Sequence, residues 1–285
     1  MTAGTTMMAR GAEPTLLSTL DLSGPALRSG FNALIEAAGT GEGVESYLTA
    51  LQLKVRIFRE LLADGRVAEL DELQFLGLCT FMSTVRRRAG PWLADHDYAT
   101  LRQRMTHLLG DKGDVQSRVD AFVAGFPKDR QHRWLRDLGA ELLHFTAPDT
   151  IPLMTRWIWD ADTRSGVLRE IWFDVDPAQD TLTLSDRVEI FLALRNELEP
   201  FLRENGIYRD HALMQDLLCA HLYARYINDR GSTYLKGDFV GGEDPMAHTR
   251  RLLGLDCCDA DGIRMKVKLP DAASALSIAS LQLSA

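Results

Sequence analysis

The sequence predicts a mainly helical α+β protein: an N-terminal helical bundle, a central β-hairpin joined by a C-terminal strand, and further C-terminal helices. Three observations carry this expectation. Apolar residues recur at helical spacing through most of the chain. One stretch, Leu153 to Phe173, is dense in branched and aromatic residues on both sides of a turn-forming link. Near the end, Ile263, Met265, Val267 and Leu269 alternate with Arg264, Lys266 and Lys268, the period of a half-buried strand.

Residues 1–25 are small and polar, with Gly4, Gly11, Pro14, Gly24 and Pro25, and a flexible segment is expected there. The bundle is assigned to 26–147. The glycines of 39–43 break a short first helix, and from Val44 a stripe of Tyr47, Leu48, Leu51, Val55, Phe58 and Leu62 marks the next, ended by Asp64-Gly65. Val67 to Arg88 reads as one helix, with Arg86, Arg87 and Arg88 in water at its C-terminal end, where cations complement the helix dipole. Gly90-Pro91 stops it. Three more helices are expected at about 97–109, 115–123 and 129–144, antiparallel because their connections are short.

Residues 148–270 are assigned to the hairpin and to a helical region sharing its core. With Trp159 opposite Val167, Trp157 faces Arg169 on one side of the ribbon. Arg156 then faces Glu170, and Met154 faces Trp172, on the other. A two-stranded ribbon is marginal in water, so the strand at 263–269 is expected to join it as a third. Ser185 caps a helix that runs to about Leu202, a further helix spans about 210–228, and Asp244-Pro245 opens a short one that Gly254 closes. The Ala/Ser-rich tail, 271–285, is expected to be flexible.

A formal charge of −8 and a pI near 5.4 argue against nonspecific nucleic-acid binding as the main activity. The four cysteines, Cys79, Cys219, Cys257 and Cys258, form no CxxC pair, which fits a reducing cytoplasm. No secretory leader and no membrane-length apolar run is read, so a soluble cytoplasmic protein without a membrane partner is expected. Homo-oligomerisation is compatible with all of this.

No metal and no cofactor is expected. Glu141 and His144 have the E-x-x-H spacing of di-iron helices, but a second such motif is absent. Cys219 and His221 are two apart and point to different sides of a helix. Two functions from different classes remain. The leading one is an accessory or regulatory protein that binds another protein through the aromatic hairpin, with Trp157, Trp159, Arg169 and Trp172 as its anchors. The alternative is an enzyme that binds a phosphorylated or carboxylated small substrate at the loop 229–248. There Arg230, Lys236, Asp238 and His248 lie among four glycines.

Overall fold

The computed structural model describes residues 20–39, 43–173, 182–234, 246–259 and 262–263, except for the side chains of 229–234, 259, 262 and 263. Helix α1 (Gly24–Ala38) is capped by Ser23, whose hydroxyl accepts from the Ala26 amide, with Pro25 in its first turn. Helix α2 (Gly43–Leu62) buries the predicted stripe, and with it Lys54. Left-handed Asp64 (φ 56°) and Gly65 (φ 83°) turn the chain into a 3-10 segment, Ala63–Glu69.

The single helix expected over 67–88 is two. Helix α3 (Glu72–Cys79) opens on a capping box between Asp71 and Gln74, the chain turns through 80–85, and α4 (Arg86–Leu93) follows. Arg86 therefore starts a helix instead of ending one. Its side chain is buried, and it grips Asp256 bidentately at 2.7 and 2.9 Å. That fork–fork partner lies 170 residues away, where no local pattern reveals it. Pro91 sits inside α4, which runs on to Leu93.

Helices α5 (Tyr98–Gly110) and α6 (Val115–Ala124) match their predicted spans and are capped by Asp97 and Asp114. Helix α7 (Trp134–Thr146) begins five residues later than its pattern suggested, because Asp129 accepts from the amides of Gln131 and His132 and holds that stretch in a turn. Eleven of the thirteen residues of α7 are buried, so polar groups on it need partners inside the protein. Asp137, Glu141 and His144 each find one on a different element.

The central β-hairpin is not formed. Asp160 and Ser165 exchange backbone hydrogen bonds (2.9 and 3.3 Å) across the predicted turn. Beyond them, however, the first arm is irregular and the second becomes a one-turn helix, α8 (Val167–Glu170). Leu153, Met154, Trp157, Ile158, Trp159, Val167, Leu168 and Ile171 are all buried, and so are Thr155 and Asp160 between them. Burial on every side explains the aromatic and branched composition without any alternation, and period two was the part of the strand signal that was missing. Two further cross-arm bonds, from the Val167 amide to the Trp157 carbonyl (3.0 Å) and from the Leu168 amide to the Ile158 carbonyl (3.1 Å), and side-chain hydrogen bonds stand in place of a regular ladder. Asp160 accepts from the amides of Asp162 and Thr163, and Asp137 takes both the backbone amide and the guanidinium of Arg156. Arg156 is thus paired with Asp137 and not Glu170, while Trp157 packs on Tyr223 (6.3 Å between centres) and not under Arg169. Gly166 (φ 128°) is required here, since a Cβ would lie 2.5 Å from the Ile158 carbonyl oxygen.

Helices α9 (Val188–Glu204), α10 (His211–Tyr234) and α11 (Ala247–Leu253) complete the helical set. The expected cap of α9, Ser185, is not used; Arg187 precedes the helix without a side-chain cap. Left-handed Gly254 (φ 71°) closes α11 as predicted. Among the described residues no C-terminal strand joins residues 153–173. The only regular β-pairing among the described residues is a two-residue antiparallel ladder, β1 (Cys258–Asp259) with β2 (Gly262–Ile263), which pairs near neighbours. Residues 264–269 lie outside the described residues, as do most of both terminal segments.

One apolar core runs from Leu20 and α1 through α11 to Cys257. No helix among the described residues is long and apolar enough to cross a membrane. Where α10 meets α11, buried His221 sits 3.2 Å from the Thr249 hydroxyl, and burial, aided by nearby Arg225, pushes its imidazole down from 6.5 to about 4. A depressed folded value means that the unfolded chain binds the proton more tightly. This group's contribution is present above about 6.5 and is lost as the pH falls toward 4. Urea titrations of the wild type and His221→Gln from pH 7 to 4 are expected to show a steeper loss in the wild type, by at most about 3 kcal/mol. Parallel curves would mean that His221 titrates alike in both states.

Candidate functional site

A cleft of about 500 Å³ opens where α6 gives way to α7, between the turn at 125–133, the irregular arm at Arg156, the 160–165 turn and the segment before α9. Its lining carries five cations (Lys128, Arg130, Arg133, Arg136 and Arg156) against three carboxylates (Asp129, Asp162 and Asp186), in a chain of formal charge −8. Val123 and Pro127 add an apolar edge.

Three of the arginines are held by their own acids. Arg133 uses only Nη2, which reaches Asp160 (2.7 and 2.9 Å) and the exposed Asp162 (3.1 Å). Arg136 pairs with the Asp186 carboxylate and donates to the Asp186 carbonyl. Arg156 donates through Nε (3.0 Å) and Nη2 (2.7 Å) to buried Asp137. Burial disfavours its charge, but the hydrogen bonds and charge of Asp137 more than restore it. Each guanidinium retains N–H groups without a partner among the described residues, in an orientation fixed by the pair it makes. Asp137 and Asp160 pair with Arg156 and Arg133, so the cations of this cleft without an acid of their own are Lys128 and Arg130. Lys128 and Arg130 are exposed there and make no ion pair or hydrogen bond with any described residue. Asp129 is engaged by His132, whose hydrogen bond is the main cause holding its carboxyl below the usual range.

A second cleft, of about 320 Å³, lies by α2 and the start of α10. It balances Arg56, Arg59 and Arg66 against Glu60, Asp149 and Asp210. Arg59 and Arg66 spend their donors on the carbonyls of Thr146, Ala63 and Arg59, which makes it the weaker anion site.

None of the described residues singled out from the sequence as candidate sites lines either cleft. Trp157 and Trp159 are buried, and the Trp159 indole donates to the Leu184 carbonyl at 3.3 Å. Arg169 and Trp172 are half-buried, Trp172 bridging to Leu22 through its backbone. In the loop 229–248, the Arg230 side chain, Lys236 and Asp238 lie outside the described residues. His248 is on α11, with its Nδ1 2.6 Å from the Asn228 amide oxygen. Glu141 and His144 are fully committed. Glu141 holds Lys54, and His144 has Nδ1 on the Ile151 carbonyl (2.7 Å) and Nε2 on Asp216 (2.8 Å). Burial is the leading cause that raises the thiols of Cys79 and Cys219, with Glu141 and Asp216 adding to it. The Cys257 thiol is raised first by its hydrogen bond with Cys258 and then by burial.

The cleft itself was passed over in the sequence. Its signal was the density of Lys128, Arg130, Arg133 and Arg136 within nine residues at a helix start. That place is electrostatically wrong for cations unless something anionic is held there. No family model, curated protein or solved structure matches the chain.

Proposed function

We propose that this protein binds a small anionic molecule, phosphorylated or carboxylated, in the cleft at the start of α7. The observation that carries this is the division of labour among its cations. Arg133, Arg136 and Arg156 are pre-aimed by their own carboxylates, and Lys128 and Arg130 are left uncommitted at the rim. Pre-oriented guanidiniums lose little freedom on binding, and donors of this kind match phosphate and carboxylate oxygens. The ligand class is the one expected at the loop 229–248; only its place differs. The protein-contact reading has less support, because Trp157 and Trp159 are buried and offer no exposed indole as an anchor.

Calorimetric titration with inorganic phosphate, pyrophosphate and succinate tests the proposal and separates the two head groups. The double variant Lys128→Ala/Arg130→Ala is expected to bind the preferred anion about tenfold or more weakly, since charge-assisted bonds contribute about 1.5–3 kcal/mol each. Wild-type affinity should also fall as salt is raised. If none of the three anions binds at millimolar concentration, or the double variant binds as the wild type does, the cleft is not an anion site.

A further inference from the structure

Two imidazoles meet beside this cleft, one from the link between α4 and α5 and one from the turn before α7. His96 lies flat on Trp92 (4.0 Å between ring centres, 9° between planes), and its Nδ1 is 2.8 Å from the Trp92 carbonyl oxygen. A carbonyl oxygen only accepts, so in the neutral ring Nδ1 carries the proton and Nε2 a bare lone pair. His132 Nδ1 is 2.8 Å from Asp129 Oδ1. That oxygen also takes the amides of Gln131 and His132, as an ionised carboxylate does, so it accepts here too, and the Nε2 of His132 is likewise bare. Neither Nε2 has a hydrogen-bond partner among the described residues. The two ring centres are 6.3 Å apart, with planes at 77°.

We propose that His96 and His132 form a two-histidine site for a borderline-soft divalent transition metal, Cu(II), Ni(II) or Zn(II), bound through the two Nε2 atoms. Imidazole nitrogen suits these ions, whereas Mg²⁺ and Ca²⁺ prefer oxygen. Ligating histidines usually donate their other ring N–H to a carboxylate or a backbone carbonyl, and here one ring does each. With metal–nitrogen bonds of about 2.0–2.1 Å, two rings on one tetrahedral ion have centres about 5 Å apart. The observed 6.3 Å exceeds this by about 1 Å, so binding requires exposed His96 to move toward His132 and both Nε2 atoms to turn to the ion. No group of three His, Cys, Asp or Glu side chains among the described residues is placed to hold a metal ion, so these residues offer it two protein ligands. His132 also lines the cleft, which puts the ion at its rim. The proposal does not rest on anion binding.

The test uses the full chain and the metals alone: calorimetric titration with CuCl₂, NiCl₂, ZnCl₂ and CaCl₂, and electron paramagnetic resonance at one equivalent of Cu(II). One equivalent of Cu(II) should bind, more tightly than Zn(II) and with no comparable uptake of Ca²⁺, and its spectrum should show two nitrogen ligands. His96→Ala and His132→Ala should each weaken binding by about tenfold or more and leave one nitrogen. Asp129→Asn, which keeps both ligands, should weaken it by roughly tenfold to a hundredfold. Lys128→Ala/Arg130→Ala should bind metal as the wild type does, and His96→Ala should bind phosphate as the wild type does, so failure of either site is seen separately. Should His132→Ala fail to fold, exposed His96→Ala decides alone. The proposal is overturned if the wild type takes up no Cu(II) or Zn(II) at millimolar concentration, or if His96→Ala retains its affinity and its two-nitrogen spectrum.

Discussion

Lys54→Ala is expected to cost about 3–5 kcal/mol of folding stability, the range for removing one partner of a buried ion pair. The Lys54 ammonium is sealed inside the protein at 1 % exposure. It donates to the Phe81 carbonyl (2.7 Å), the Glu141 carboxylate (2.9 Å) and the Leu253 carbonyl (3.0 Å), and lies 3.7 Å from the centre of the Phe145 ring. Burial already holds the Glu141 carboxyl above its usual range, outweighing the attraction of Lys54. Without the ammonium, Glu141 is an unpaired buried charge and two carbonyls lose their donor. A raised folded value means that the folded state binds this proton more tightly, so the stability from Glu141 is present at low pH and is lost as the pH rises through that value. The deficit of Lys54→Ala should therefore be larger at pH 8 than at pH 5. Glu141→Gln, which leaves Lys54 its two carbonyls and the ring, should cost less. Urea unfolding of the three proteins at both pH values checks this. A Lys54→Ala protein within about 1 kcal/mol of the wild type would mean that water replaces the ammonium.

Gly254→Ala is expected to cost about 3 kcal/mol, from left-handed backbone strain together with overpacking. Gly254 has φ 71°, and a Cβ there would lie 1.8 Å from the Phe81 carbonyl oxygen, one of the three acceptors of Lys54. The control is Gly65→Ala, at φ 83° and ψ −3° with nothing within 4 Å, which should show the backbone strain alone, about 1 kcal/mol. Thermal unfolding of both separates the two causes. Equal losses would show that the Phe81 carbonyl yields.

Much of the helical framework was legible because burial on one face imprints period 3.6, as in α2, α5, α6 and α9. The hairpin failed because branched and aromatic composition reports burial, and burial there comes from all sides. Lys54 could have been found, since it interrupts the apolar stripe between Leu51 and Phe58. So could Asp137, Glu141 and His144, which recur at helical spacing among leucines on α7. Their partners could not. Lys54 and Glu141 are 87 residues apart, and His144 and Asp216 are 72 apart. The cleft was half legible: four of its five cations are local, but Arg156 and the acids at 160, 162 and 186 come from farther along the chain.

The ammonium of Lys54 draws together parts of the chain 27, 87 and 199 residues away. Each closure is an entropic loss taken before any contact repays it, so bonds of such long range form late on the route to the folded state. Interactions absent from the transition state act on the rate of escape, hardly on the rate of arrival. The three-way clasp at Lys54 is therefore expected to act as a lock on the finished molecule, with Lys54→Ala raising the unfolding rate far more than it lowers the folding rate. On that expectation it governs how long a folded copy persists before it opens, while the nearer contacts of α5, α6 and α7 govern the search for the fold.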